Sequence, residues 1–434
     1  MSRFWGISPA GAFQGFQLMR QASLLLSSVI LVKCAFPPGE IGIYEQLFFV
    51  QYALSFFWVS GLIQALLSMY PRLAPLQQEQ FLFAAYLVML SISILLTGMM
   101  YGGSKPLLHF LTGQAELPHY TLFLFQQLLH LPTFLLEYLL LLRRRPRAII
   151  GFGALSFGGA LLAIGIPAMT GRGLEGVFWG FTLLGFIKHS WLIYEISCLK
   201  GTWKYAWPTL GPWLSLALPL MAYTFLGGLI QAYGGWSVNR YYAGDSAQFA
   251  LFRYGAREFP LIIALSEALN AALVPLVAGR GAESFAEIRH KTLRLMHLIF
   301  PISILLLASS QYWFTWIFNS EFKDSIPVLN AFFLLAISRV VFPRAILIGL
   351  RDNRAVLAFS VLEFGLLAVA AAYLLPVRGI QGVALATVIA FWAEKALQIA
   401  RLKYRFGIDP DTYIPMAWWL GYSVLMLAVY SATL

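Results

Sequence analysis

Apolar stretches of about 20 residues or more recur from one end of this chain to the other. A helix of that length, rising about 1.5 Å per residue, matches the roughly 30 Å hydrocarbon core of a bilayer. Hydrocarbon offers no partner for backbone N–H and C=O groups, so only helices and closed barrels cross it. Barrel strands read as segments of about ten residues with alternating polarity, and the sequence has none. Charged residues make up 11% of the chain and hydrophobic ones 59%, whereas soluble domains carry about 25% charge. The expected class is an all-α polytopic membrane protein. Spans are expected near 9–34, 41–69, 79–101, 117–142, 147–169, 173–199, 208–237, 246–277, 292–318, 323–349, 353–375, 379–404 and 412–432. Connections are short and leave no room for a soluble domain.

The formal net charge is +11. In a soluble protein that balance would suggest nucleic acid; here the basic residues sit mostly in short loops and read as a topology signal, so no nucleic-acid partner is expected. Seventeen of the thirty Lys and Arg, including Arg143, Arg144, Arg145 and Arg147, fall on one set of loops, and six on the other. The bias places the N-terminus in the cytoplasm. Polar residues interrupt the first apolar run, so it reads as a retained span rather than a signal peptide. Cys34 and Cys198 have no metal-ligand spacing. No nucleotide loop, metal cluster or nucleophile–base pair is present, so no cofactor, metal or catalytic residue is expected.

An internal repeat runs through the chain. Arg144-Arg145-Pro146-Arg147 resembles Arg351-Asp352-Asn353-Arg354 at an offset of 207. Arg172-Gly173-Leu174-Glu175-Gly176 resembles Arg378-Gly379-Ile380-Gln381-Gly382 at 206, and Gly39 to Tyr44 resembles Gly244 to Phe249 at 205. Six spans per repeat give both halves the same orientation, a parallel duplication about an axis along the membrane normal. The expected layout is a six-helix lobe over 1–203, a second over 204–406, and an extra transmembrane helix over 407–434. Two-lobed architectures of this kind hold substrate between the lobes and work by alternating access.

Seven basic residues fall inside the spans: Arg20, Lys188, Arg253, Arg257, Arg339, Arg344 and Lys395. An arginine at bilayer depth costs roughly 2.5–3.5 kcal/mol on insertion scales and is kept where it meets a cavity, a partner or an anion. In one continuous eighth helix, Arg253, Arg257, Pro260, Ala264 and Glu267 share an arc of about 80°, with Glu258 pointing away. A helical rise from Gly244 would put Arg253 roughly 13 Å deep and Arg257 roughly 20 Å deep. Guanidinium forks suit diphosphate oxygens. The competing reading is a structural salt bridge, for instance of Arg257 with Glu267 or Glu45. On the first span Arg20 stands beside a polar stripe of Gln14, Gln17, Gln21 and Ser28, fit either to line a cavity or to hydrogen-bond neighbouring helices. Arg339 is also deep. Glu45, Glu137, Glu267 and Glu363 are the embedded carboxylates, either candidates for ion coupling or charge balance for the arginines.

Several stretches carry a family resemblance. They are Phe36-Pro-Pro-Gly-Glu-Ile-Gly-Ile-Tyr44, Leu218-Pro219-Leu220, the Gly244 hairpin into Phe249-Ala250-Leu251-Phe252, and the Gly379/Gly382 pair. Over its whole length the chain resembles the polysaccharide-transporter (Wzx-type flippase) branch of the multidrug/oligosaccharidyl-lipid/polysaccharide exporter superfamily. The resemblance implies two six-helix lobes in a V. It also implies a multi-pass protein of the bacterial inner membrane that flips an undecaprenyl-pyrophosphate-linked oligosaccharide. In the family a cationic cavity on helices one, two, seven and eight holds the pyrophosphate, which assigns Arg20, Arg253 and Arg257, with Gln14, Gln17, Gln21 and Arg339, to substrate binding. The second span departs from that pattern, offering Glu45 and Gln51. Implied partners are the lipid-linked oligosaccharide, membrane lipids and polysaccharide polymerase machinery. The rivals are a lipid II flippase, a cation-coupled multidrug exporter and a membrane polysaccharide polymerase or ligase. No Asp or Glu on the first span and no long loop for an acceptor argue against the last two.

Overall fold

The structure, a computed structural model, describes residues 8–34, 36–199 and 203–433. Arg3 and Lys200, counted above for topology, lie outside the described residues. Among those described there is no strand. The chain forms two compact units, Met1–Gly228 and Leu229–Leu434.

The first unit contains α1 (Pro9–Lys33), α2 (Pro38–Met69), α3 (Pro75–Gly102), α4 (Ser104–Thr112) and α5 (Tyr120–His130). It continues with α6 (Phe134–Leu142), α7 (Pro146–Gly153), α8 (Gly159–Met169), α9 (Gly173–Ser197) and the first part of α10 (Trp203–Tyr241). Proline opens α1, α2, α3 and α7, where its missing N–H costs nothing and its fixed φ suits the first turn. Ser8 caps α1, its hydroxyl accepting from the Gly11 amide at 3.0 Å. The span expected at 117–142 is interrupted at Pro132 by the turn Leu131–Thr133, and that at 147–169 by a wide π-turn over Ala154–Gly158. Leu62, Leu66, Phe81, Leu135, Leu139 and Trp213 form the buried core. Trp213 donates its indole N–H to the Leu62 carbonyl at 3.3 Å, and the Thr224 hydroxyl meets the Phe57 carbonyl at 2.9 Å, so the first half of α10 is fixed along α2.

The second unit holds the rest of α10, then α11 (Ser246–Gly255), α12 (Pro260–Arg280), α13 (Phe285–Ala308), α14 (Ser310–Phe318) and α15 (Ile326–Phe333). After these come α16 (Ala336–Arg339), α17 (Pro343–Gly349), α18 (Asn353–Arg378), α19 (Ile380–Phe406) and α20 (Met416–Ala432). Here the structure corrects the sequence reading. The span expected at 246–277 is two helices separated by non-helical residues 256–259. Pro260 forces Phe259 out of the helical region, to φ −63°, ψ 120°. At Gly255 an added Cβ would lie 2.5 Å from the Ser325 carbonyl oxygen, so α11 and α15 approach at a distance only glycine permits. The span expected at 323–349 is likewise a series of short pieces, α15, α16 and α17.

Among the described residues nine helical segments are long and apolar enough to cross a membrane, or ten if the bent pair Ser320–Arg339 and Pro343–Gly349 counts as one. The difference from thirteen has three sources. Lys188-His189 dilutes the apolar character of α9, and α20 has only 17 residues. The third is that Pro260–Ala308 counts as one segment of 49 residues, although Gly281, at φ +53°, breaks it.

The repeat is visible in local geometry. Arg144 and Arg351 both take positive φ, 54° and 63°, a conformation uncommon for a residue with a Cβ. Gly173 and Gly379 do the same, at 60° and 58°, and open α9 and α19. One turn on, a Cβ at Gly176 would strike Pro167, and one at Gly382 would strike the Leu374 carbonyl. The third match differs in detail, since Gly39 lies inside α2 whereas Gly244 takes φ +82° ahead of α11.

Candidate functional site

In the first unit one embedded ion pair and a set of buried hydrogen bonds join neighbouring helices. Arg20, on α1, forms an ion pair with Glu137 on α6, a carboxylate almost wholly buried. The remaining face of the guanidinium lies over the Phe16 ring at 5.2 Å and the Phe157 ring at 6.0 Å. Lys188 on α9 is buried and donates to His130 Nδ1 at 3.2 Å. His189 Nδ1 meets the Leu129 carbonyl at 3.1 Å and so carries the proton, leaving Nε2 to accept from the Tyr86 hydroxyl at 3.3 Å. This layer ties α1, α3, α5, α6 and α9 together. Of the stripe on α1, Gln14 and Gln21 are exposed and Gln17 is half-buried. Glu45 is buried in α2.

The second unit is organised around the break. Arg253 is half-buried on α11, one turn before it. Arg257 lies in the break itself, with its guanidinium over the Tyr254 ring at 4.5 Å and its Nε donating to the Arg253 carbonyl at 3.3 Å. Tyr254 is held in turn by Phe318 and Phe322, at ring distances of 5.3 and 4.5 Å. Arg253, Arg257 and Glu267 therefore do not lie on one continuous helix, and the depth reckoned from a helical rise does not apply to Arg257. The residue expected to point away, Glu258, is the one engaged: it takes a bidentate grip from Arg339, at 2.9 and 2.6 Å. Glu267 lies 3.7 Å from the same guanidinium, which also covers the Phe391 ring at 5.0 Å. Arg339 thus joins α16 to the break and to α12. Its carboxylate partners are Glu258 and Glu267.

Glu363 on α18 and Glu394 on α19 are buried. Gln398 donates to Glu394 at 2.7 Å and Lys395 stands 3.5 Å from it. The Glu394–Gln398 spacing of one helical turn was readable in advance. The roles of His130 and Tyr86 were not, because each partner comes from a distant helix. Among the described residues no group of three His, Cys, Asp or Glu side chains could hold a metal ion.

No family model and no curated protein matches the sequence. Solved structures do. A lipid II flippase MurJ in an inward closed conformation is 13% identical, with a TM-score of 0.69 over 96% of this chain and 97% of that one. An inward-facing multidrug resistance MATE transporter of the MOP superfamily is 14% identical, with a TM-score of 0.66 over 91% and 98%. A MOP superfamily transporter from Pyrococcus furiosus is 13% identical, with a TM-score of 0.61 over 92% and 96%. At these identities the likeness is one of fold: the chain has the all-α, multi-pass fold of MOP superfamily transporters.

Proposed function

We propose that the chain is a transporter that flips an undecaprenyl-pyrophosphate-linked oligosaccharide across a bacterial inner membrane by alternating access. The lobes are those read from the duplication, with the N-terminus in the cytoplasm. The observation that carries this reading is the break at residues 256–259 with Arg257 inside it. Non-helical backbone at membrane depth persists only where protein buries it or water reaches it, and interrupted helices in transporters form substrate sites. The guanidinium groups of Arg257 and Arg253, one turn apart at the break, are the donors that would meet a pyrophosphate. Arg20 contributes less, because Glu137 already satisfies its charge; Gln14 and Gln21, exposed on the same helix, remain available for sugar hydroxyls. Arg339 is assigned to holding the break. Of the carboxylates proposed for ion coupling, Glu45, Glu137 and Glu363 are buried, while Glu267 is exposed beside Arg339.

A lipid II cargo is the second reading. It presents the same pyrophosphate with a different sugar, and the flippase likeness in fold favours it. A polymerase that consumes the flipped unit is the expected partner in the first case. Flipping assays in proteoliposomes with polyprenyl-pyrophosphate-linked sugars test both readings. The proposal fails if neither substrate moves while a cationic dye does. A tag at residue 2 that is accessible from the periplasm would overturn the topology.

A further inference from the structure

At the end of the first unit away from Arg143–Arg147, the loop before α5 folds back onto the start of α9. A cleft of about 470 Å3 opens there, lined by Leu117, His119, Tyr120, Phe125, Glu175 and Trp179 among others. His119 takes a left-handed conformation, φ +63°, and its ring lies 6.0 Å from that of Phe178. The Tyr120 hydroxyl is spent on the Met100 carbonyl at 3.0 Å. Glu175 and Trp179 stand one turn apart on α9, both exposed, Trp179 by 59%. A carboxylate one turn from an open indole face is a receptor for a cation.

The same face continues along α9. Arg172, Glu175, Trp179, Leu183 and Phe186 fall within about 80° of arc, and all five are exposed. Leu183 and Phe186 are 62% and 60% exposed, an apolar stripe that acyl chains would cover if α9 crosses the bilayer as the sequence pattern over 173–199 suggests. A soluble sugar could stack on the rings but would leave this stripe unused.

We propose that the cleft binds the head group of an aminophospholipid. The ammonium sits between Glu175 and the Trp179 face, the phosphodiester lies toward Arg172, and one acyl chain runs down Leu183 and Phe186. The site is built from the first unit alone and does not depend on the identity of the cargo.

Native mass spectrometry of the detergent-solubilised full chain, titrated with phosphatidylethanolamine and with phosphatidylglycerol of matched chains, tests this. Phosphatidylethanolamine should be retained preferentially. Glu175→Gln should weaken it about threefold and leave phosphatidylglycerol unchanged, and Trp179→Ala should weaken it by a similar factor. Glu116→Gln, at the same end of the unit but facing Lys105 at 3.1 Å, should leave the preference intact. An equal preference in the unaltered chain and Glu175→Gln would overturn the proposal. So would displacement of the lipid by a soluble oligosaccharide, which would make the cleft a sugar platform.

Discussion

At the repeat offset the second helix of each unit aligns with that of the other, and the two differ at one short segment. In α2, residues 49–55 read Phe-Val-Gln-Tyr-Ala-Leu-Ser, and the helix runs unbroken from Pro38 to Met69. At an offset of 205, residues 254–260 read Tyr-Gly-Ala-Arg-Glu-Phe-Pro, and the helix breaks between Gly255 and Pro260. Val50 and Ser55 permit continuity. Gly255 and Pro260 remove it, and the basic residue Arg257 stands where the first unit has Tyr52. The two helices differ by two backbone-breaking residues that flank an arginine. The charges at the ends of the hairpins diverge in another way. Arg145 pairs with Glu195 at 2.7 Å, and at the corresponding positions Asp352 pairs with Arg401 at 2.9 Å. The contact is kept and its polarity is exchanged.

Removing the buried ion pair should give the largest effect on stability. Arg20→Ala leaves the Glu137 carboxylate buried without its partner and should cost about 3 kcal/mol, read as a fall in melting temperature in detergent. Replacing both residues with apolar ones, Arg20→Met with Glu137→Leu, should recover most of that loss. Arg339→Ala should cost less, about 1–2 kcal/mol, because Glu258 lies in non-helical backbone that can turn toward water. A larger loss for Arg339→Ala than for Arg20→Ala would reverse the contrast between the units.

Gly255→Val places the side chain of Val50 into the second unit. The Cβ would meet the Ser325 carbonyl, and about 2 kcal/mol of stability should be lost, since a tight helix contact has no room for an added isopropyl group. A neutral outcome would mean that α11 and α15 can separate freely. The smallest effect belongs to the hairpin pairs. Arg145→Glu and Glu195→Arg should each cost about 1 kcal/mol and together recover about 1 kcal/mol, because the second unit already carries the reversed pair. A double-mutant cycle with no coupling would reduce the matched contacts to coincidence.

Much of the fold was legible because bilayer thickness and glycine geometry leave their marks in sequence. The apolar runs marked most crossings, and Gly173/Gly176 and Gly379/Gly382 marked the two hairpins. The break in the eighth span was not read as one. A lone proline in an apolar run suggests a kink, and the close approach at Gly255 that turns the kink into a gap comes from α15, about seventy positions away. For the same reason Glu258 was assigned to the wrong face, and its grip on Arg339 went unseen. The arginines themselves were legible as costly residues that must be satisfied. Whether a carboxylate or a substrate satisfies each one depends on distant helices: Arg20 and Arg339 have carboxylates.

The central claim is that the broken helix of the second unit carries the anion chemistry. Flipping of a polyprenyl-pyrophosphate-linked sugar in proteoliposomes should fall about tenfold or more in Arg257→Ala, an amount corresponding to about 1.4 kcal/mol for one charge-assisted contact, at equal protein incorporation. Full flipping by Arg257→Ala at equal protein incorporation would contradict the account.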